Sequence, residues 1–132
     1  MLDRPVFELT IEPQAGDIDE LGHVNNAVYV RWIQDVATAH WRATARAEDV
    51  DRYVWVVTRH EIDYRRATNL GEALTARTWV GEPQGARFDR FVEIVGPDGG
   101  VRVSARTVWA LVELRSMRPI RIQREVAAPF LG

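Results

Sequence analysis

DIDELGHVNNAVY, residues 17–29, gathers two aspartates, a histidine and two asparagines into its first ten positions and then runs into apolar sequence. From Ala27 to Leu70 the chain holds neither Gly nor Pro. Within that span Tyr29, Trp32, Ile33, Val36, His40 and Ala43 recur at three- and four-residue spacing. Arg31, Gln34, Asp35, Thr38 and Arg42 take the other positions. That period predicts an amphipathic helix of roughly 18–20 residues, ending around Ala47. Asn25 or Asn26 suits its N-cap, because a short amide side chain accepts from the first unpaired helical N–H groups.

Working outward, residues 5–12 (PVFELTIE) alternate Phe7, Leu9 and Ile11 against Val6, Glu8, Thr10 and Glu12, the signature of a strand with one wet face. Beyond the helix, Tyr53–Arg65, Glu72–Gly81, Ala86–Val95 and Val101–Leu114 are rich in Val, Thr, Trp, Phe and Tyr. Turn signals separate them: NLG at 69–71, GEPQG at 81–85 and GPDGG at 96–100. Such short connections demand antiparallel neighbours. Val101–Leu114 becomes apolar on both faces from Thr107 to Val112, so it is expected inside the sheet. The tail is expected to end in one helical turn. The order is strand, long helix, four antiparallel strands, in one α+β domain over residues 1–132. One helix cannot cover such a sheet and its edges, so a homodimer is expected, by sheet edge or face to face.

Composition narrows the chemistry. The chain has no cysteine, which excludes disulfides, thiolate catalysis and cysteine zinc sites. All 17 basic residues are arginine, so Schiff-base and P-loop lysines are excluded too. The only serines, Ser104 and Ser116, lie outside any GxSxG turn. No apolar run can span a bilayer and no secretory signal opens the chain, so a cytoplasmic protein is the default. A net charge of −2 divides into −6 over residues 1–63 and +4 over 64–132. That is no nucleic-acid footprint, though it leaves arginines for a phosphorylated small molecule.

Two readings of the opening stretch stand on residues alone. In one, Asp17 and Asp19 satisfy turn N–H groups and Asn25 caps the helix. In the other, Asp19 is a general base or nucleophile, and the helix N-terminus offers its unpaired N–H groups to a carbonyl oxygen. A metal held by His23, Asp17 and Asp19 lacks ligand spacing, since His40 and His60 lie far along the chain, and none is expected.

The stretch at 17–29 ahead of a long helix, EIDYRRATNLGE at 61–72 and MRPIRI at 117–122 together resemble the hotdog-fold acyl-CoA thioesterases of the 4-hydroxybenzoyl-CoA thioesterase-like superfamily. The resemblance covers nearly the whole chain. It implies a five-stranded antiparallel sheet wrapped around one long helix, in edge-to-edge dimers and often tetramers. It implies hydrolysis of an acyl- or aroyl-CoA to free acid and CoA, with no cofactor besides the CoA of the substrate. Asp19 would be the catalytic carboxylate, the backbone N–H near Asn26 would polarise the thioester carbonyl, and His23 would order the loop. Val24, Asn25, Tyr29 and Trp32 would meet the substrate, the acyl pocket lying between helix and partner sheet, although Val24, Tyr29 and Trp32 could equally be plain core. Arg59, Arg65, Arg66, Arg87 and Arg90 are candidates for the CoA phosphates. The chain departs from the pattern at Leu21, where some relatives carry an assisting Asn, and at Gln34, where many carry Glu. A hotdog domain that binds acyl-CoA without hydrolysing it is the alternative. A hydratase or dehydratase ranks behind both.

Overall fold

The computed structural model describes residues 3–132. β1 (Phe7–Ile11) leads through a 3-10 turn at Ala15–Asp17 and the polar loop into α1 (Asn26–Thr44). A short α2 (Ala47–Arg52) turns the chain into β2 (Tyr53–Tyr64). β3 (Leu74–Gln84), β4 (Arg87–Val95) and β5 (Val101–Glu113) follow as antiparallel hairpins. The sheet order is β1-β3-β4-β5-β2, and a two-residue β6 (Arg118–Pro119) is added beside β5. The five expected strands are all present, with β5 between β4 and β2 as its apolar run requires.

Several details differ from the sequence reading. β2 and β3, expected to be antiparallel neighbours across the NLG turn, do not pair: β2 lies beside β5 at one edge of the sheet and β3 lies between β1 and β4. β3 passes through Gly81 and Pro83 before turning at Gly85, because a register shift between Val80 and Pro83 absorbs the turn-like residues as a bulge. The helix stops at Thr44, with Trp41 buried where Ala43 was expected and Ala43 exposed. The tail forms not one turn but α3 (Arg124–Leu131), which buries Val126, Ala127 and Phe130. Pro129 disguises this helix in the sequence; it stands in the last turn of α3, where little helix follows it.

α1 lies along the curled sheet and buries Tyr29, Trp32, Ile33, Val36, Ala37, His40 and Trp41. Two apolar clusters result. One packs Ile33 and Val36 against Leu74, Ile94 and Val103 near the start of α1. The other packs Trp41 against Val80, Phe88, Leu111 and Phe130 near its end. Between them runs a buried polar belt. Each inward-facing row breaks its apolar pattern once: β3 at Thr78, β4 at Arg90, β5 at Thr107 and the helix at His40. Arg90 Nη1 lies 2.9 Å from both His40 Nδ1 and Thr78 Oγ1. Because a guanidinium only donates, His40 Nδ1 must accept, which makes the ring neutral with its proton on Nε2. Burial foremost, then the neighbouring Arg90 charge, pushes the His40 pKa down to about 3.

Candidate active site

The polar stretch folds as a tight loop closed on itself. Asp19 N donates to His23 O (2.8 Å) and Gly22 N to Asp19 O (3.0 Å), while Ile18 and Val24 form an antiparallel bridge. Gly22 sits at φ +81°, a conformation that costs other L-residues 1–2 kcal/mol or so. Asp19 Oδ1 accepts from Leu21 N at 2.9 Å and from His23 N at 3.4 Å. Among the described residues no group donates to Oδ2. One carboxylate oxygen is therefore anchored and the other is free. The turn-satisfying role of Asp19 engages only half of its carboxylate.

Asp17 behaves differently. It is buried, accepts from Gln14 N at 2.8 Å and pairs with Arg31 at 2.9 Å. Those two donors, Gln14 foremost, hold its carboxyl below the usual range against the effect of burial. It braces the loop against α1.

Asn25 caps α1, its Oδ1 accepting from Ala27 N at 2.9 Å. Val28 N is bound by Asn25 O at 2.9 Å. The Asn26 N–H has no acceptor among the described residues, which leaves a donor at the positive end of the helix dipole. Asp19, Leu21, His23, Val24, Asn25, Asn26 and Tyr29 line one cavity of about 410 Å³ with Tyr64, Arg65, Arg66 and Ala67. The structure thus brings Asp19, His23, Val24, Asn25, Asn26 and Tyr29 together with Arg65 and Arg66, all of them expected at the site. It does not gather the rest. Trp32 is core, packed edge-on to Tyr29. Arg59 is exposed on β2 and pairs with Glu61. Arg87 is exposed on β4. Arg90 is buried in the polar belt and lines a different cavity. Gln34 and Asp35 are exposed and line neither cavity of the single chain.

Four contributors escaped the sequence reading. Thr68 O accepts from Val24 N at 2.9 Å, and Thr68 Oγ1 accepts from Tyr29 Oη at 2.9 Å. Burial raises the pKa of the Tyr29 phenol above its ordinary value. Arg102, itself buried, donates to Ala67 O at 2.8 Å and forks onto Glu72 at 2.8 and 3.3 Å. Tyr64 closes the cavity wall and reaches Asn26 O at 3.4 Å. This network clamps the β2–β3 connection onto both the Asp19 loop and the helix start. It also explains Gly96, where a Cβ would sit 2.5 Å from the Arg102 guanidinium that Glu72 pins in place. Thr68 and Glu72 fall inside the 61–72 stretch already singled out, whereas Arg102 carries no local signal at all.

One long helix held in a curled sheet of this order is the hotdog architecture. Solved structures confirm the likeness over nearly the full chain. A predicted thioesterase from Bacillus stearothermophilus superposes with a TM-score of 0.84 at 22% identity, covering 96% of this chain and 94% of that one. A thioesterase from Thermus thermophilus, complexed with coenzyme A and zinc, gives 0.84 at 20% identity over 98% and 99%. A DHNA-CoA thioesterase from Staphylococcus aureus gives 0.79 at 18% identity over 90% and 82%. A comparison with curated proteins gives no match. Residues 13–130 match the family model of the thioesterase-like superfamily, and the chain belongs to that family. Among the described residues no helix is long and apolar enough to cross a membrane.

Proposed function

We propose that this protein hydrolyses an acyl- or aroyl-CoA thioester at the Asp19 cavity. The observation that carries the reading is the pairing of a half-free carboxylate with an unpartnered helix N–H on one cavity wall. Family membership and the coenzyme A bound by a structural neighbour support it. Asp19 Oδ2 takes a proton from water, whose oxygen adds to the thioester carbon, while the Asn26 N–H receives the developing oxyanion. Collapse breaks the C–S bond, and the proton held by Asp19 passes to the departing thiolate. Attack by the carboxylate itself, followed by hydrolysis of the anhydride, uses the same atoms. His23, whose backbone donates to Asp19, orders the loop. Arg65 and Arg66, at the rim, are the arginines best placed for the CoA phosphates. Arg65 is held by Ser104 at 3.1 Å and Arg66 by Asp98 at 2.9 Å.

The assembly is proposed as a homodimer through β2. This twelve-residue strand pairs with β5 on one side only and exposes Val54, Val56 and Tyr64. Both ring nitrogens of His60 on β2 are shielded from solvent yet lack a partner. Such a long edge, with Val54 and Val56 exposed ahead of the irregularity at Val57–Arg59, invites pairing with a second copy. Pairing of dimers into a tetramer is compatible with the same fold.

The deciding experiment is thiol release against short, long and aromatic acyl-CoAs, run beside calorimetric binding of the same panel. Turnover of at least one member at above 1 s⁻¹ or so is expected of an enzyme acting at ordinary rates. Tight binding across the panel with no thiol release would establish the non-hydrolytic alternative instead.

A further inference from the structure

A second cavity, of about 270 Å³, lies under the C-terminal half of α1 and shares no residue with the Asp19 cavity. Its walls are aromatic and aliphatic, with Trp41, Trp55, Trp109, Phe88 and Val80 prominent. Its rim carries the exposed Thr38, Arg42 and Leu114, with Val54 of the β2 edge proposed to pair with a second copy. Arg90 reaches its wall from the polar belt while only 8% exposed.

The charge of Arg90 has no counter-ion. Nη1 meets two neutral acceptors, His40 and Thr78, and among the described residues no carboxylate oxygen lies within salt-bridge distance of Arg90. Asp89 also lines the cavity, but its carboxylate is taken by Arg106 at 3.0 and 3.2 Å. A buried cation without an anion is costly, and burial lowers the Arg90 pKa to about 10. Core positions of this kind are normally apolar, so the residue is expensive unless something offsets it. The fork also presents more donors than its two protein partners use.

We propose that this cavity binds a small amphipathic carboxylic acid, aliphatic or monocyclic aromatic, with its carboxylate against Arg90 and its apolar body among the tryptophans. The volume sits just below the range of drug-sized sites, which fits a medium-length chain or one ring and excludes a CoA moiety. Arg42 at the mouth adds a second positive charge along the entry path. The proposal is independent of hydrolysis at Asp19.

Three of the five tryptophans line the cavity, so intrinsic fluorescence reports its occupancy. Octanoate and octan-1-ol are titrated into the full chain. Octanoate is expected to saturate with at least tenfold higher affinity than the alcohol. Arg90→Met should erase that preference, Ala37→Phe should weaken both ligands by filling the space, and Asp19→Asn should leave octanoate binding unchanged. Equal affinity for acid and alcohol, or no saturable quenching, overturns the proposal. Loss of octanoate binding in Asp19→Asn overturns it too, by placing the acid in the other cavity. Should Arg90→Met or Ala37→Phe fail to fold, as judged by thermal melting, the acid–alcohol comparison on the unaltered protein decides alone.

Discussion

His40 shows how one side chain carries a property of the whole core. It stacks on Phe7 (5.0 Å) and meets Phe130 edge-on (4.9 Å), and it accepts from Arg90. A proton on Nδ1 would break that bond and place two cations side by side. With a folded pKa near 3 against 6.5 for the free ring, the unfolded chain takes up a proton below pH 6.5 that the folded chain refuses. Stability is therefore lost as pH falls from about 6.5 toward 3, by at most ~1.4 kcal/mol per pH unit. Asp17, Glu72 and Asp98 have depressed carboxyl pKa values, so their contribution is lost only as pH falls below the ordinary carboxylate range. Urea titrations between pH 6.5 and 5 isolate the imidazoles. His40→Gln, which keeps an acceptor for Arg90, is expected to flatten the slope, leaving the smaller share of His60, whose pKa burial also lowers. An unchanged slope would mean that His40 is not held neutral. None of this was legible in the sequence. His40 reads there as one more member of an apolar helical stripe, and only the register of three strands reveals its belt.

At the scale of elements, the start of α1 joins fold to function. Asn25 fixes the first turn by its side chain and, through Asn25 N donating to Asp17 O at 2.9 Å, ties the cap to the loop. Asn25→Ala is expected to cost ~1 kcal/mol in urea-induced unfolding, as loss of a side-chain cap does. No loss would mean that the loop, not the cap, sets the helix start. This boundary was readable because cap chemistry is local: a polar residue, then a stripe at 3.6-residue spacing. Strand identities were readable for the same reason, since alternation and turn residues are properties of neighbours. The errors fell where the deciding partner is remote. GEPQG looked like a turn until its pairing with β4 made it a bulge, and α3 became a helix by packing Val126 and Phe130 under the sheet. Within the site, Asp19, His23, Asn25 and Asn26 shared one stretch and were found together. Arg102 joins them from a strand start far along the chain, and of the candidate arginines only Arg65 and Arg66 line this cavity, because sheet face and loop position decide which cavity each one meets.

For the whole molecule, the exposed β2 edge and the Asp19 cavity make two linked claims. Sedimentation should give a mass about twice the 15.1 kDa of one chain, and Val56→Lys, a charge beside that edge, should shift it toward 15.1 kDa. A monomeric parent protein would contradict the proposed assembly. The two cavities lie along α1: a polar one at its start, lined by Asp19 and Asn26 among others, and an apolar one near its end. Hydrolysis is proposed for the first. The most direct test of that assignment is the rate of thiol release by Asp19→Asn on the acyl-CoA that the parent protein turns over best. Asn keeps the Oδ1 acceptor for Leu21 N and His23 N, so melting temperature and mass should stay unchanged, while the rate should fall at least a hundredfold, as loss of a general base or nucleophile does. Turnover at the parental rate in a folded Asp19→Asn protein would contradict the account.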